Sequence, residues 1–157
     1  MQTFLPYADF KKSAECLDYR RLGKQRVEAM QIINLLEKHD AGEDISKLPW
    51  GNHPAVKMWI GCTYSLKMYY NYILKEWIDR GYKNNMEYYT DIKGLENYKS
   101  YDGKRQFPKH IQAVELPNWF GRKDFHDAHK SNLLRKDKEF YGKYNWDVPD
   151  DLPYVWR

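Results

Sequence analysis

Four cationic side chains are crowded into seven residues near the start of the chain. They are Arg20, Arg21, Lys24 and Arg26, within the stretch LDYRRLGKQRVEAM. A planar guanidinium binds a phosphate group through two parallel hydrogen bonds, so a cluster of this kind is typical of a surface that contacts phosphates. The cluster therefore indicates a polyanionic or phosphorylated partner, but by itself it specifies no reaction.

The cluster lies in a segment, residues 18–40, whose apolar residues have the spacing of one helix face. They recur at intervals of seven, four and three positions: Leu22, Ala29, Ile33 and Leu36. With roughly 100° per residue, Arg21, Gln25 and Glu28 lie beside this apolar face. We therefore expect the flank of this helix to line a cleft that binds phosphates.

Arg26 is the cation that the helix places closest to its apolar face. An unpaired buried charge is costly, so this side chain needs a partner or an opening to solvent. Arg26 either pairs with a carboxylate, for which Glu28, Glu76 or Asp79 is suitable, or lies at the edge of the cleft. The pattern leaves both alternatives open.

Histidines and cations share a second charged segment, FHDAHKSNLLRKD. His126 and His129 are three residues apart and lie on one helix face, with Lys130 and Arg135 nearby. The segment supplies no third metal ligand, so we expect no metal site. Phosphate contacts or hydrogen bonds between helices are the favoured roles, and His129 is alternatively a histidine of the core.

His53 lies in the sequence GNHPAV, directly before a proline that is favoured in the first turn of a helix. The free amide groups at the start of a helix attract anions and polar side chains. We expect His53 to cap this helix, with contact to a substrate as the alternative.

Helical patterns predict an all-α fold, a compact bundle in a single domain, residues 1–157. The three main helices are expected at residues 18–40, 54–81 and 122–143, with a short helix at 84–93. We expect an extended segment before these helices. It ends where Asp9 or Ser13 caps a first helical turn. A surface loop is expected at residues 94–110, and its cations are Lys104, Arg105, Lys109 and His110. The irregular aromatic tail, residues 145–157, is expected to wrap around the body.

The composition permits a nucleic-acid partner without requiring one, since the net charge is +4 and the pI about 8.9. Neither a signal peptide nor a long apolar run is present, and no cysteine spacing is typical of zinc. Phosphotransfer and serine-hydrolase chemistry lack their motifs. We expect a soluble cytoplasmic protein with no cofactor and no membrane partner.

Several of these motifs occur together in a known family. The order of the motifs is YRRLGKQRV, then GNHPAV, which opens a long helix that ends in RGY, and then a basic and aromatic C-terminal region. In this order the chain resembles the pyrimidine-dimer DNA glycosylase family of the bacteriophage endonuclease V type. The chain most closely resembles small bacterial and phage members without a characterised activity, which carry LGKQRVEA, NHPAV-MW, FH--H-S-LLRKD and DDLPYVW. Because these relatives are both bacterial and phage proteins, the resemblance implies an intracellular protein that either a bacterium or a virus in its host's cytoplasm encodes.

The resemblance implies a helical DNA-repair enzyme whose N-terminal α-amine attacks sugar C1′ at the lesion. A Schiff base forms, and β-elimination then cleaves the strand. A glutamate on the first long helix stabilises the sugar cation, and arginines bind the phosphate backbone. An α-amine is partly neutral, and so nucleophilic, at neutral pH. Carried onto this sequence, the amine is that of Met1, which Gln2 follows. Arg21 stands at the family's glutamate position, so Glu28 becomes the expected catalytic carboxylate.

On this hypothesis the protein is a DNA glycosylase and AP lyase acting on damaged or modified bases. The residues expected to bind the DNA phosphates are Arg20, Arg21, Lys24, Gln25 and Arg26. Further contacts to DNA or phosphate are expected from His53, His126, His129, Lys130 and Arg135. One alternative is a non-catalytic protein that binds DNA or a phosphorylated nucleotide in the same cleft. Another is a structural or protein-interaction domain whose charges are solvated. None of these predicts an oligomeric state.

Overall fold

Two long helices packed along each other form the centre of the fold. A computed structural model of the chain describes residues 1–92 and 116–157, with the backbone of residues 100–101 and 104–105. Helix α2 spans Tyr19–Asp40 and helix α4 spans Thr63–Asp79. The apolar residues predicted for one face of α2 are fully buried: Leu22, Ala29, Ile33 and Leu36.

Shorter elements surround this pair. The other helices are α1 (Phe10–Cys16), α3 (Pro54–Lys57), α5 (Lys123–Lys136) and α6 (Lys138–Tyr141), with 3₁₀ turns at Ile45–Lys47 and Gly142–Tyr144. Strands β1 (Ser100–Tyr101) and β2 (Lys104–Arg105) pair antiparallel. The all-α class is confirmed, although the described residues contain six helices rather than three main ones. None of these helices is both long and apolar enough to cross a membrane.

Aspartates mark where the first two helices begin. The Asp9 side chain accepts a hydrogen bond from the Lys12 amide at 2.8 Å and caps α1, as predicted. The Asp18 side chain accepts one from the Arg21 amide and caps α2. These bonds satisfy amide groups that have no partner inside their own helix.

The predicted helix over residues 54–81 is wrong in its middle, because the chain leaves the helix after Lys57 and begins α4 at Thr63. Gly61 adopts φ +85°, in the left-handed region that suits glycine. A Cβ added at Gly61 would meet nothing within 4 Å, so the position suits glycine because of its positive φ and not because of close helix packing.

The predicted short helix at residues 84–93 is also wrong, since residues 84–92 have no regular secondary structure. Side chains of α4 take the place of helical partners: Asn71 donates to the Tyr89 carbonyl and accepts from the Tyr89 amide, both at 2.9 Å. Tyr70 donates to the Glu87 carbonyl at 2.8 Å. Backbone groups that are satisfied in this way gain nothing from forming a helix.

The predicted helix over residues 122–143 is broken into α5 and α6 at Asp137, whose φ is −153°. The Asp137 side chain accepts from the Phe140 amide at 3.1 Å and starts α6. The predicted surface loop at residues 94–110 lies outside the described residues, apart from the backbone of β1 and β2.

The first residues form an extended segment that runs through the interior of the fold. Thr3 and Leu5 have no exposed surface, and Gln2 and Phe4 have 6% and 5%. Side chains from the surrounding helices satisfy the segment: Trp59 donates to Thr3 Oγ1 at 3.0 Å, and Tyr69 donates to the Phe4 carbonyl at 2.9 Å. Extended backbone is therefore buried here without a sheet.

The C-terminal tail folds back onto α5, as predicted. Ser131 Oγ accepts from the Leu152 amide at 2.9 Å, and the Tyr154 hydroxyl donates to Asn132 Oδ1 at 2.9 Å. Val155 and Trp156 pack against the core. This return brings Tyr154 to the same side of the molecule as the start of α2.

Candidate functional site

The start of the chain and the cationic side of α2 line one cleft of about 720 Å³. Six residues of the sequence-predicted site border it: Met1, Arg20, Arg21, Lys24, Gln25 and Glu28. The remaining wall comes largely from residues that sequence reasoning did not assign to the site: Gln2, Asp18, Tyr19, Lys136, Asp137, Phe140 and Tyr154. Four of these residues had a signal, because they lie in motifs that carry the family resemblance: Tyr19 in YRRLGKQRV, Lys136 and Asp137 in LLRKD, and Tyr154 in DDLPYVW.

Glu28 is hydrogen-bonded to the beginning of the chain. Its Oε2 accepts from the backbone amide of Gln2 at 3.2 Å and from Gln25 Nε2 at 3.2 Å. Lys24 Nζ lies 4.0 Å from Oε1. The carboxylate therefore has a fixed orientation, and the residue next to its amide donor is Met1, which carries the α-amine.

Gln25 fixes the same segment from the buried side of the cleft. Its Nε2 donates to the Gln2 carbonyl at 2.8 Å, and its Oε1 accepts from the Phe4 amide at 3.0 Å. The Tyr69 hydroxyl lies 2.7 Å from the same oxygen. Gln25 is 1% exposed, and both the oxygen and the nitrogen of its side-chain amide form hydrogen bonds, so it positions the start of the chain. The predicted contact of Gln25 with DNA would need a polar group of this side chain that is not already bonded.

Arg21 is held by a carboxylate one turn earlier. Its Nη1 donates to Asp18 Oδ1 at 3.1 Å, and the hydroxyl of Tyr141 donates to the same oxygen. Burial alone would raise the pKa of Asp18, but the hydrogen bonds from Tyr141 and Arg21 outweigh it and lower that pKa. Arg20, Lys24 and Lys136 are the exposed cations at the cleft.

Arg26 lies outside this cleft. Its guanidinium stands 4.0 Å over the centre of the Trp77 ring, and Nε donates to the Gly23 carbonyl at 3.3 Å. Neither of the two alternatives for Arg26 is found: it does not line this cleft, and of its candidate carboxylates Glu76 pairs with Arg80 at 2.8 Å and Glu28 accepts from Gln2. Asp79 is likewise paired, with Lys75. Burial lowers the pKa of Arg26.

His129 is a core histidine, one of the two predicted alternatives. It is 1% exposed, and its Nδ1 accepts from the Leu5 amide at 2.9 Å. Its Nε2 has no hydrogen-bond partner in the described part of the chain. Burial, with a smaller contribution from His126, lowers the pKa of His129 to about 3, so the ring is neutral at physiological pH.

His126 makes the matching bond to the other side of Leu5. Its Nε2 accepts from the Gly121 amide at 2.9 Å, so Nδ1 carries the proton and donates to the Leu5 carbonyl at 2.8 Å. Burial lowers the pKa of His126. The two histidines thus hold the extended segment from α5, and neither borders the cleft that contains Met1 and Glu28.

The remaining predicted contacts, His53, Lys130 and Arg135, do not line this cleft. His53 Nδ1 accepts from the Ala55 amide at 3.0 Å, which confirms the predicted cap. Burial and then the positive charge of the chain's amino terminus lower the pKa of His53. Lys130 stands 5.1 Å over the Tyr7 ring, and Arg135 donates to the Asp150 carbonyl at 2.9 Å. Within residues 1–92 and 116–157, no group of three potential metal ligands is present.

The sequence profile of the pyrimidine dimer DNA glycosylase family matches residues 1–90, more than half of the 157 residues. The match includes the extended segment, α2 and α4, and thus both Met1 and Glu28. No curated protein and no solved structure matches the chain. Because this match covers more than half of the chain, the chain belongs to the pyrimidine dimer DNA glycosylase family.

Proposed function

We propose that the protein is a DNA glycosylase with AP-lyase activity on damaged or modified bases. The observation that carries this proposal is the bond between Glu28 and the Gln2 amide, which brings a carboxylate beside the residue with the α-amine. Membership of a family of DNA-repair glycosylases supports DNA as the substrate. The nucleophile is the Met1 amine, and the carboxylate is Glu28.

The reaction has two stages. The neutral amine attacks C1′ of the sugar, the bond from C1′ to the base breaks, and loss of a proton from nitrogen with ring opening gives a Schiff base. A proton then leaves C2′ and the 3′ phosphate departs, which cleaves the strand by β-elimination. In this mechanism the carboxylate of Glu28 stabilises the positive charge that develops at C1′ and accepts the proton from C2′.

The substrate backbone lies, on this proposal, along the exposed cations of the cleft. Arg20 and Lys24 are exposed on α2, and Lys136 is exposed at the end of α5. Arg21 presents its guanidinium in a fixed position because Asp18 holds it at 3.1 Å. Arg26, Lys130 and Arg135 lie beyond the cleft, so they contact DNA only where it extends past the reacting nucleotide.

Borohydride trapping tests the amine mechanism directly. Untagged protein, its N-terminus verified by intact mass, is incubated with duplex DNA containing an abasic site and then reduced. We expect a covalent adduct on the peptide that contains Met1. The E28Q variant should form it at least about tenfold more slowly. An adduct on a lysine side chain, or an undiminished adduct after acetylation of the amine, would contradict the proposal.

The matched control is Glu43→Gln, which removes an exposed carboxylate from the turn after α2. It changes the net charge as E28Q does and should leave the rate of trapping unchanged. Equal losses in the two variants would mean that overall charge, rather than the position of Glu28, limits the reaction.

A second function, binding of DNA without catalysis, is favoured by one observation. Arg21 occupies the position at which the related glycosylases have their glutamate, and it forms an ion pair with Asp18. This function predicts tight binding to DNA without any trapped adduct. Its affinity should fall linearly with salt on logarithmic axes, as expected for contacts to phosphates.

A further inference from the structure

Three aromatic side chains form a cluster where α2 begins and α4 ends. Tyr19 stacks on Trp77 with an interplanar angle of 15° and a centroid distance of 5.9 Å. Tyr82 contacts both rings, at 5.1 Å from Tyr19 and 4.5 Å from Trp77. We call these three residues the aromatic platform. They come from α2, from α4 and from the segment that follows α4.

The platform is open to solvent and adjoins the cleft. Tyr19 is 54% exposed and Tyr82 is 36% exposed, whereas Trp77 beneath them is 9% exposed. Tyr19 also borders the cleft, next to the exposed cation Arg20. An exposed aromatic surface therefore adjoins a surface suited to phosphates.

Contacts with α2 and with the following segment hold Trp77, the buried ring of the platform, in place. Trp77 Nε1 donates to the Lys83 carbonyl at 2.9 Å. Gly23 lies against the indole, since a Cβ there would be 2.9 Å from Trp77 Cζ3. Arg26 covers the indole at 4.0 Å, so a cation without a carboxylate partner among the described residues stands beside the platform. Tyr19, Gly23 and Arg26 share one helix face at intervals of four and three residues.

We propose that the aromatic platform binds an unpaired base of DNA by stacking, outside the cleft that holds the Met1 amine. The inference rests on the proposed function in that it takes DNA as the partner. Exposed aromatic rings provide stacking surfaces for any base, whereas a base that is paired within a duplex has no free face. Arg20 directly follows Tyr19 on α2, and Arg26 stands over Trp77, so two cations lie next to the platform where phosphates that flank such a base would be neutralised.

Fluorescence of 2-aminopurine tests this inference. Two duplexes are compared, one with 2-aminopurine as a single-nucleotide bulge and one with it paired, and binding is followed by the emission of the probe and by anisotropy of an end label. We expect the wild-type protein to quench the bulged probe and to bind the bulged duplex about tenfold more tightly than the paired one. Tyr19→Leu and Tyr82→Leu should each lose most of this preference, and Tyr19→Phe should retain it.

Tyr64→Leu is the matched control, because Tyr64 is 47% exposed on α4 and lies away from the platform. It should keep the preference, and thermal unfolding should show that all variants are folded. The inference is overturned if folded Tyr19→Leu and Tyr82→Leu proteins keep the full preference. It is also overturned if they differ from wild type in sedimentation alone, which would make the platform a contact between copies of the chain.

Borohydride trapping on the same proteins separates this inference from the proposed function. If the wild-type protein prefers the bulged duplex but forms no adduct, the stacking inference stands and the proposed lyase activity is contradicted. If the wild-type protein forms the adduct but binds both duplexes equally, the proposed lyase activity stands and the stacking inference is overturned.

Discussion

The side-chain amide of Gln25 donates to the carbonyl oxygen of Gln2 across 2.8 Å. With its second bond, from the Phe4 amide at 3.0 Å, Gln25 pairs with the chain start as a neighbouring strand would. Glu28, one turn later on α2, then receives the Gln2 amide. The position of the Met1 residue is thus fixed by two polar side chains of one helix.

Replacement of Gln25 by leucine should reduce stability and slow the proposed reaction. It leaves the Gln2 carbonyl and the Phe4 amide buried without partners, at about 1–3 kcal/mol for each group. We expect the free energy of unfolding, measured with urea, to fall by about 2–4 kcal/mol. Gln31→Leu, on the exposed side of α2, is the control and should change it by less than about 0.5 kcal/mol.

Gly23→Ala should destabilise the protein although alanine is the better helix former. The added Cβ would lie 2.9 Å from Trp77 Cζ3, too close for an ordinary contact. The strain should exceed the gain in helix propensity of about 1 kcal/mol. In a Trp77→Leu background the same substitution should become neutral or stabilising. Calorimetry of the four proteins gives this coupling, and additive effects would contradict it.

Acidification should destabilise the fold through His129. The pKa of His129 is lowered from 6.5 to about 3 by burial, so below pH 6.5 the unfolded chain binds a proton that the folded chain does not. The stabilising contribution is present above pH 6.5 and is lost as the pH falls toward 3. One such group accounts for roughly 1–2 kcal/mol between pH 6.5 and 5. NMR of the imidazole nitrogens provides the direct test, since a folded-state titration near pH 6.5 would contradict this assignment.

Arg20→Ala should weaken DNA binding uniformly across sequences and reduce its dependence on salt. Each phosphate contact contributes close to one unit to the slope of log affinity against log salt. We expect the slope to fall by about 1. Lys38→Ala, which removes an exposed cation from the far end of α2, should leave the slope unchanged.

The sequence predicts the elements with regular spacing and misses those that depend on contacts between distant residues. The apolar face of α2 and the caps Asp9 and His53 follow from local patterns. The break at Gly61 does not, because a glycine inside a helical pattern gives no sign that the chain turns there. Residues 84–92 carry helix-compatible residues but bond instead to Asn71 and Tyr70.

The candidate site shows the same division. Met1 and Glu28 were expected from the family resemblance, and the cations of α2 from their spacing. The buried role of Gln25 was missed, because its position beside the apolar face shows that it is near the core but not what it bonds. For Arg26 the sequence left two alternatives, a carboxylate partner or the edge of the cleft, and the side chain instead stands over Trp77, 51 positions further along the chain.

The bonds to Leu5 also set the order in which the molecule is completed. Leu5 pairs with His126 and His129, across sequence separations of 121 and 124 residues. Contacts of such high contact order form late, and on the ribosome they wait until α5 has been synthesised. A nascent chain that has produced only the family-matched residues 1–90 lacks both histidines, so its first residues have no such anchor. We therefore expect Leu5 to reach its place between the two histidines only after α5 has been synthesised.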